Sequence, residues 1–301
     1  MNIAKKMICL IMALAVGMTC GACTKNPSLT TTGPTAPAVQ DTTTPTTEPV
    51  QDTTATPETT LPRTESDIVS VLDFLRIAVQ PVGSTMYIWG GGWNEEDTGA
   101  GVEAVTLGVC AQWAKFAEKQ TASYNYKDHK YQIHDGLDCS GYVGWAVYNA
   151  LETENGKGGY VCSSTKMAKD FADRGLGAYI PAAEMKRWLA GDIMSMKGHV
   201  WIVVGMCEDG SVLLLHASPP GVIFSGTKLP DGSKSDAVVL AETIMRRHYP
   251  DWFSRYPECA RPHSYLTKSS AMRWSSDVLS DEEGLHHMSA EEVVALLFET
   301  A

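Results

Sequence analysis

No apolar run in this 301-residue chain is long enough to cross a bilayer. The most apolar stretch, residues 7–18 (MICLIMALAVGM), has twelve residues, against the roughly 20 that a helix needs to span the hydrocarbon. A polytopic membrane protein is thereby excluded. A basic cluster is also missing, with 24 Lys and Arg against 35 Asp and Glu for a net charge of −11. That argues against nucleic acid as a partner, because neutralising phosphates takes Lys and Arg gathered on one face. Beyond residue 66 there is no Cys-x-x-Cys and no His-x-x-x-His pair, so neither a metal nor a cofactor is expected. Residues 24–66 contain no aromatic side chain, while 16 of these 43 positions are Thr and 7 are Pro. Such a tract buries too little apolar surface to offset its chain entropy, and an extended, disordered stalk is expected.

What is present begins with an export signal. Lys5 and Lys6 precede the apolar run and the small residues Gly21 and Ala22 follow it, the n-, h- and cleavage-region order of a secretory segment over residues 1–23. Cys20-Gly21-Ala22-Cys23 resembles a bacterial lipobox, which implies acylation of Cys23; cleavage after Ala22 with free secretion is the alternative. The only membrane contact expected is through this signal or lipid, at the surface of or outside a bacterial cell. The signal contributes +2 and the stalk −3 to the net charge, which leaves −10 on residues 67–301. These 235 residues suffice for one sizeable domain.

Chemistry is concentrated first around Asp138-Cys139-Ser140-Gly141. Small or apolar residues recur at 139, 142, 143, 146, 147, 150 and 151, the spacing of one helix face. Asp138 is placed as the N-cap, and Cys139 becomes the first helical residue. Helix N-termini carry positive partial charge and favour a thiolate, the nucleophilic form. A lone Cys on such a face is more commonly an inert small hydrophobe.

A nucleophile needs a base, and two of the eight histidines lie on strands. Residues 199–206 and 211–217 are β-rich runs separated by Glu208-Asp209-Gly210, a hairpin signal. With a two- or four-residue loop, positions 199, 201 and 203 share a face with 212, 214 and 216, which brings His199 and His216 together. A three-residue loop turns one of them away.

Taken in order, Tyr87-Ile88-Trp89-Gly90-Gly91, Asp138-Cys139-Ser140-Gly141, Gly191-Asp192-Ile193, Gly198-His199-Val200 and His216-Ala217-Ser218 resemble the NlpC/P60 family of bacterial cell-wall cysteine peptidases. The resemblance covers roughly residues 67–247. It implies an α+β, papain-like fold in which the nucleophile helix packs on an antiparallel sheet carrying the histidines. Cys139 would be the nucleophile, His199 the general base and His216 the orienting third residue. Tyr87, Asp138 and Ser140 would contact substrate, with Trp89 beside them. The implied reaction is hydrolysis of the γ-D-glutamyl to diamino-acid bond of a peptidoglycan stem peptide. A CHAP-like N-acetylmuramoyl-L-alanine amidase and a non-catalytic peptide-binding module on a stalk are the alternatives.

Residues 93–137 form an insertion between the Trp-Gly-Gly and Asp-Cys-Ser elements. Its 110–120 portion reads as a helix with Trp113, Phe116 and Ala117 on one face, and the insertion is expected to border the cleft. Residues 236–249 read as a helix closing the core. Ser280 with Glu283 and Ser289 with Glu292 have capping-box spacing, in a helical appendage expected from about residue 270 to 301. Cys110, Cys162, Cys207 and Cys259 are left as two disulfides or four thiols.

Overall fold

The computed structural model describes residues 68–94, 99–151 and 158–298. The signal segment 1–23, with Cys23, and the stalk 24–66 lie outside the described residues. Described strands are β1 (Val69–Ser70), β2 (Met86–Tyr87), β3 (Gly136–Leu137), β4 (Gly177–Ile180), β5 (Ile193–Met196), β6 (His199–Met206), β7 (Val212–Ser218), β8 (Gly221–Thr227), β9 (Ala260–Arg261), β10 (Ser270–Trp274) and β11 (Leu279–Ser280). The α-helices are α1 (Val71–Val79), α2 (Ala111–Glu118), α3 (Cys139–Leu151), α4 (Met167–Asp173), α5 (Asp236–His248), α6 (Pro250–Arg255), α7 (Ser264–Lys268) and α8 (Ala290–Phe298). The fold is mixed α+β. Its main sheet runs β3-β2-β8-β7-β6-β5-β10-β4, with β9 joined to β8, while β1 and β11 form a separate parallel pair. Pairings β2–β3 and β8–β9 are parallel and the others in the main sheet antiparallel.

Alternation along β6 and β7 divides the core in two. Val200, Ile202, Val204, Leu213, Leu215 and Ala217 belong to the large cluster that includes α3, α1, α5 and α8. Trp201, Val203, Val212 and Leu214 join Leu266 of α7 and Ala271 of β10 in a smaller cluster on the other face. Helix α3 was expected to bury one stripe, but all thirteen of its residues are buried. Two glycines make this possible. At Gly141 a Cβ would stand 2.1 Å from the Gly91 carbonyl oxygen, and at Gly144 one would lie 2.8 Å from Val161, so neighbouring backbone closes on the helix where a side chain would hold it off.

The β6–β7 hairpin reaches the expected face by an unexpected route. Cys207 and Ser211 close the turn through the Cys207 N–H, which donates to the Ser211 carbonyl at 2.9 Å, leaving the three-residue loop that was expected to separate the histidines. Pairing starts as Met206↔Val212 and Gly205↔Leu213, then shifts to Val203↔Leu214 across a bulge at Val204. One extra residue in the loop and one in the strand restore the parity, since each inverts the alternation once.

The carboxyl-terminal region is not the appendage expected from residue 270. Strand β10 lies inside the main sheet, paired to β5 on one side and β4 on the other. Arg273 of β10 grips the buried Asp192 carboxylate with two bonds, Nε to Oδ1 at 3.0 Å and Nη2 to Oδ2 at 2.7 Å. Ser289 and Glu292 form the anticipated reciprocal cap of α8, with Ser289 N–H donating to Glu292 at 2.7 Å and Glu292 N–H to Ser289 Oγ at 3.3 Å. Ser280 makes no such box. It lies in β11, and the Asp281 carboxylate instead accepts the N–H groups of Leu285 and His286.

Candidate active site

Cys139 begins α3, and the local sequence dictates how it is held. Asp138 Oδ1 accepts the Gly141 N–H and the Ser140 hydroxyl, each at 2.8 Å, and the Asp138 carbonyl accepts the first helical bond from Tyr142 N–H at 2.9 Å. The anticipated N-cap is formed. Oδ2 of the same carboxylate accepts Gly90 N–H at 3.3 Å, which ties the Gly90–Gly92 loop to the helix start. That loop closes tightly because Gly92, at φ +93°, lies where a Cβ would be 2.4 Å from Gly141 Cα. Burial pushes the Asp138 carboxyl up to about 6, against the bonds from Gly141, Ser140 and Gly90 that pull it down.

The Cys139 sulfur is buried, and the N–H groups of Val200 and Ser140 and the Ser164 hydroxyl are near enough to draw its thiol down. The thiol therefore meets β6 at its first peptide, next to His199. A helix start was expected to favour the thiolate, yet burial and the Asp138 charge push the thiol up to about 12, outweighing those three donors. The resting sulfur is protonated.

His199 and His216 are brought together on the face that also carries Trp201. His199 Nε2 lies 2.9 Å from His216 Nδ1, so Nδ1 is the His199 ring nitrogen that His216 does not engage. Burial, then the Arg261 charge, holds His199 down to about 3 and His216 well below the usual range. Both rings are neutral at pH 7. His216 is wholly buried, and its Nε2 is 3.0 Å from Ser225 Oγ and 3.1 Å from Arg261 Nε. Tyr265 of α7 lies against both histidines, with ring centroids 5.5 Å from His199 and 6.2 Å from His216.

Arg261 and Tyr265 were not anticipated. Their elements, β9 and α7, are two and five residues long, too short for a periodic signal. They fall in residues 250–269, between the expected 236–249 helix and the expected appendage, where no element was expected.

A cleft of about 350 Å³ opens over the sulfur, lined by Tyr87, Trp89, Trp93, Tyr131, Ser140 and Ser164 among others. Asp138 and Gly198, the residue before β6, also line it. Tyr87 is almost fully buried, its phenol held far up by burial and by the neighbouring Cys139 and Asp138. Residues 124 and 126 buttress it. Tyr124 donates its hydroxyl to the Tyr87 carbonyl at 2.6 Å, and the Tyr126 ring meets the Tyr87 ring edge-on at 5.5 Å.

The insertion also borders the cleft, as expected, through Trp93 and Tyr131. Trp93 Nε1 donates to Ser140 Oγ at 3.1 Å. Tyr131 is 62% exposed and, among the described residues, is the one non-glycine with positive φ, at 61°. Its N–H donates to the Trp89 carbonyl at 2.8 Å, and its ring covers Gly90, occupying the space where a Cβ would be. With Trp89 47% exposed, the mouth of the cleft presents two aromatic faces to solvent.

Cys110, Cys162, Cys207 and Cys259 are free thiols, like Cys139. Among the described residues no cluster of three or more His, Cys, Asp or Glu is arranged to hold a metal ion, and no helix is long and apolar enough to cross a membrane. No family model, no curated protein and no solved structure matches the chain.

Proposed function

We propose that the chain is an exported bacterial cysteine hydrolase of the NlpC/P60 kind, with a papain-like arrangement, that cleaves an amide bond in peptidoglycan stem peptides. The observation that carries this reading is the 2.9 Å contact between His199 Nε2 and His216 Nδ1, on a strand whose next residue, Val200, lies near Cys139. A nucleophile, a base and a residue orienting that base are the parts an acyl transfer needs.

In this mechanism the substrate carbonyl lies in the cleft over the sulfur. His199 takes the Cys139 proton at Nδ1 as the sulfur attacks, and His216 holds the ring through Nε2. The N–H groups at the start of α3 lie beside the developing oxyanion, with the Tyr87 hydroxyl as a further donor. His199 then returns the proton to the leaving amine, and water hydrolyses the thioester. Because thiol and imidazole are both neutral at rest, proton transfer accompanies attack. The bond assigned is the γ-D-glutamyl to diamino-acid link, and export through residues 1–23, with Cys23 acylated, delivers the domain to the wall.

Incubation of the full chain and its Cys139→Ala variant with defined muropeptides, with products followed by mass, tests the reading. Cleavage by the parent alone, at the γ-D-glutamyl bond, is expected. A variant that cleaves as well as the parent refutes the mechanism, cleavage between muramic acid and L-Ala reassigns the bond, and binding by both without cleavage assigns a peptide-binding module.

A further inference from the structure

We propose that Arg261 is a positioning residue that acts through His216 to keep the proton of His199 on Nδ1, and so holds Cys139 and His199 in a resting, unreactive arrangement. Its catalytic meaning rests on the cysteine-hydrolase reading, whereas the proton arrangement stands on the hydrogen bonds alone.

A guanidinium Nε–H donates and never accepts. Arg261 Nε lies 3.1 Å from His216 Nε2, so that ring nitrogen must be bare and the proton of neutral His216 is on Nδ1. His216 Nδ1 then donates across the 2.9 Å contact, His199 Nε2 accepts, and neutral His199 keeps its own proton on Nδ1. That is the wrong tautomer for a base at Nδ1. For His199 to receive the thiol proton there, both rings must carry their protons on Nε2, which sets His216 Nε2–H against Arg261 Nε–H. Two donors then face each other with no acceptor between them. Ser225 Oγ, 3.0 Å from the same nitrogen, is indifferent, because a hydroxyl both donates and accepts. The two arrangements hold equal numbers of protons, one on each ring and one on sulfur, so Arg261 supplies the bias.

The charged and titratable groups facing this cluster are Asp138 and Tyr87 beside Cys139, Tyr265 from α7 and Arg261 from β9. Arg261 is the cation in that set, and it also opposes the imidazolium that His199 becomes during the reaction. A second bond, from Arg261 Nη1 to the Ala260 carbonyl at 2.9 Å, fixes the angle of the guanidinium. Releasing it from His216 Nε2 frees the base.

The test uses the full chain labelled with ¹⁵N-histidine. At pH 7 the wild-type His216 signals, assigned by difference with His216→Gln, are expected to show a bare Nε2 and a protonated Nδ1. In Arg261→Met that preference should weaken, and iodoacetamide alkylation of Cys139 at pH 7, mapped by peptide mass, should rise at least tenfold with its pH limb moved toward neutrality. A protonated Nε2 on wild-type His216 overturns the proposal, as does unchanged alkylation in a folded Arg261→Met protein. If Arg261→Met does not fold, the wild-type spectrum decides. Neither readout needs turnover, so a chain that cleaves no muropeptide refutes the hydrolase reading without touching this one.

Discussion

Replacing Gly141 by alanine should disable the site while leaving every proposed catalytic group in place. The new Cβ would start 2.1 Å from the Gly91 carbonyl oxygen, where carbon and oxygen in close contact stand about 3.3 Å apart. Relief takes a shift of about 1 Å between the start of α3 and the Gly90–Gly92 loop. That loop holds the second oxygen of Asp138 through Gly90 N–H and leads back to Tyr87. A misplacement of about 1 Å in a reacting geometry costs about 10²-fold in rate. Stability moves less, since overpacking costs about 1–3 kcal/mol and alanine in a helix returns about 1 kcal/mol over glycine. Thermal unfolding should therefore show a loss of about 2 kcal/mol or less, while kcat/KM on a cleaved muropeptide falls about 100-fold. Gly99→Ala is the control, because among the described residues nothing lies within 4 Å of its Cβ position. A Gly141→Ala protein with kcat/KM within threefold of wild type would show that the glycine contact does not position the nucleophile.

Three further outcomes can be measured. Tyr131→Gly removes an exposed ring and relieves a left-handed backbone worth about 1–2 kcal/mol, so urea unfolding should change by about 1 kcal/mol or less while KM rises; a fall in kcat at constant KM would place the ring in the chemistry instead. The Asp138 carboxyl is raised from 3.8 to about 6 on folding, so its contribution to stability is complete below about pH 4 and is lost as pH rises toward 6. Wild type should thus lose on the order of 3 kcal/mol relative to Asp138→Asn across that window, and parallel stability curves in the two proteins would contradict the burial argument. Arg273→Met leaves the Asp192 carboxylate buried without its cation, and chemical denaturation should report a loss of about 3–5 kcal/mol. Adding Asp192→Asn should recover part of it, and a double variant no better than the single one would assign the loss to packing of Arg273.

Local signals carried most of the first half of the site. The run from Asp138 to Leu151 announced both a cap and a helix because an acceptor side chain before an apolar periodicity has few other uses, whereas Gly90, Gly91 and Gly92 allow a close backbone approach and a left-handed bend alike. The histidine pair was legible only through two errors of parity that cancel, since Gly205 beside Val204, a residue that marks many bulges, was read as ordinary strand, and the turn residues do not distinguish three from four. Arg261 and Tyr265 were illegible for a different reason. They reach the histidines through a parallel two-residue strand and a single helical turn, and such contacts are set by where the chain is carried by α5 and α6. Strand β10 was missed because its position depends on β4 and β5, which lie some 75 to 95 positions earlier.

The place of β10 between β5 and β4 also fixes an order of events. The strand that joins the two follows both in the sequence, so a chain made from its amino terminus already holds Cys139, His199 and His216 while the sheet is still in two pieces. Arg261 and Tyr265 emerge just ahead of it. A polypeptide stopped at residue 247 would hold every residue of the proposed catalytic set and yet expose the free edge of β5, with Asp192 lacking its guanidinium. Completion of the sheet behind the candidate site thus waits for a segment that follows Cys139, His199 and His216 in the sequence.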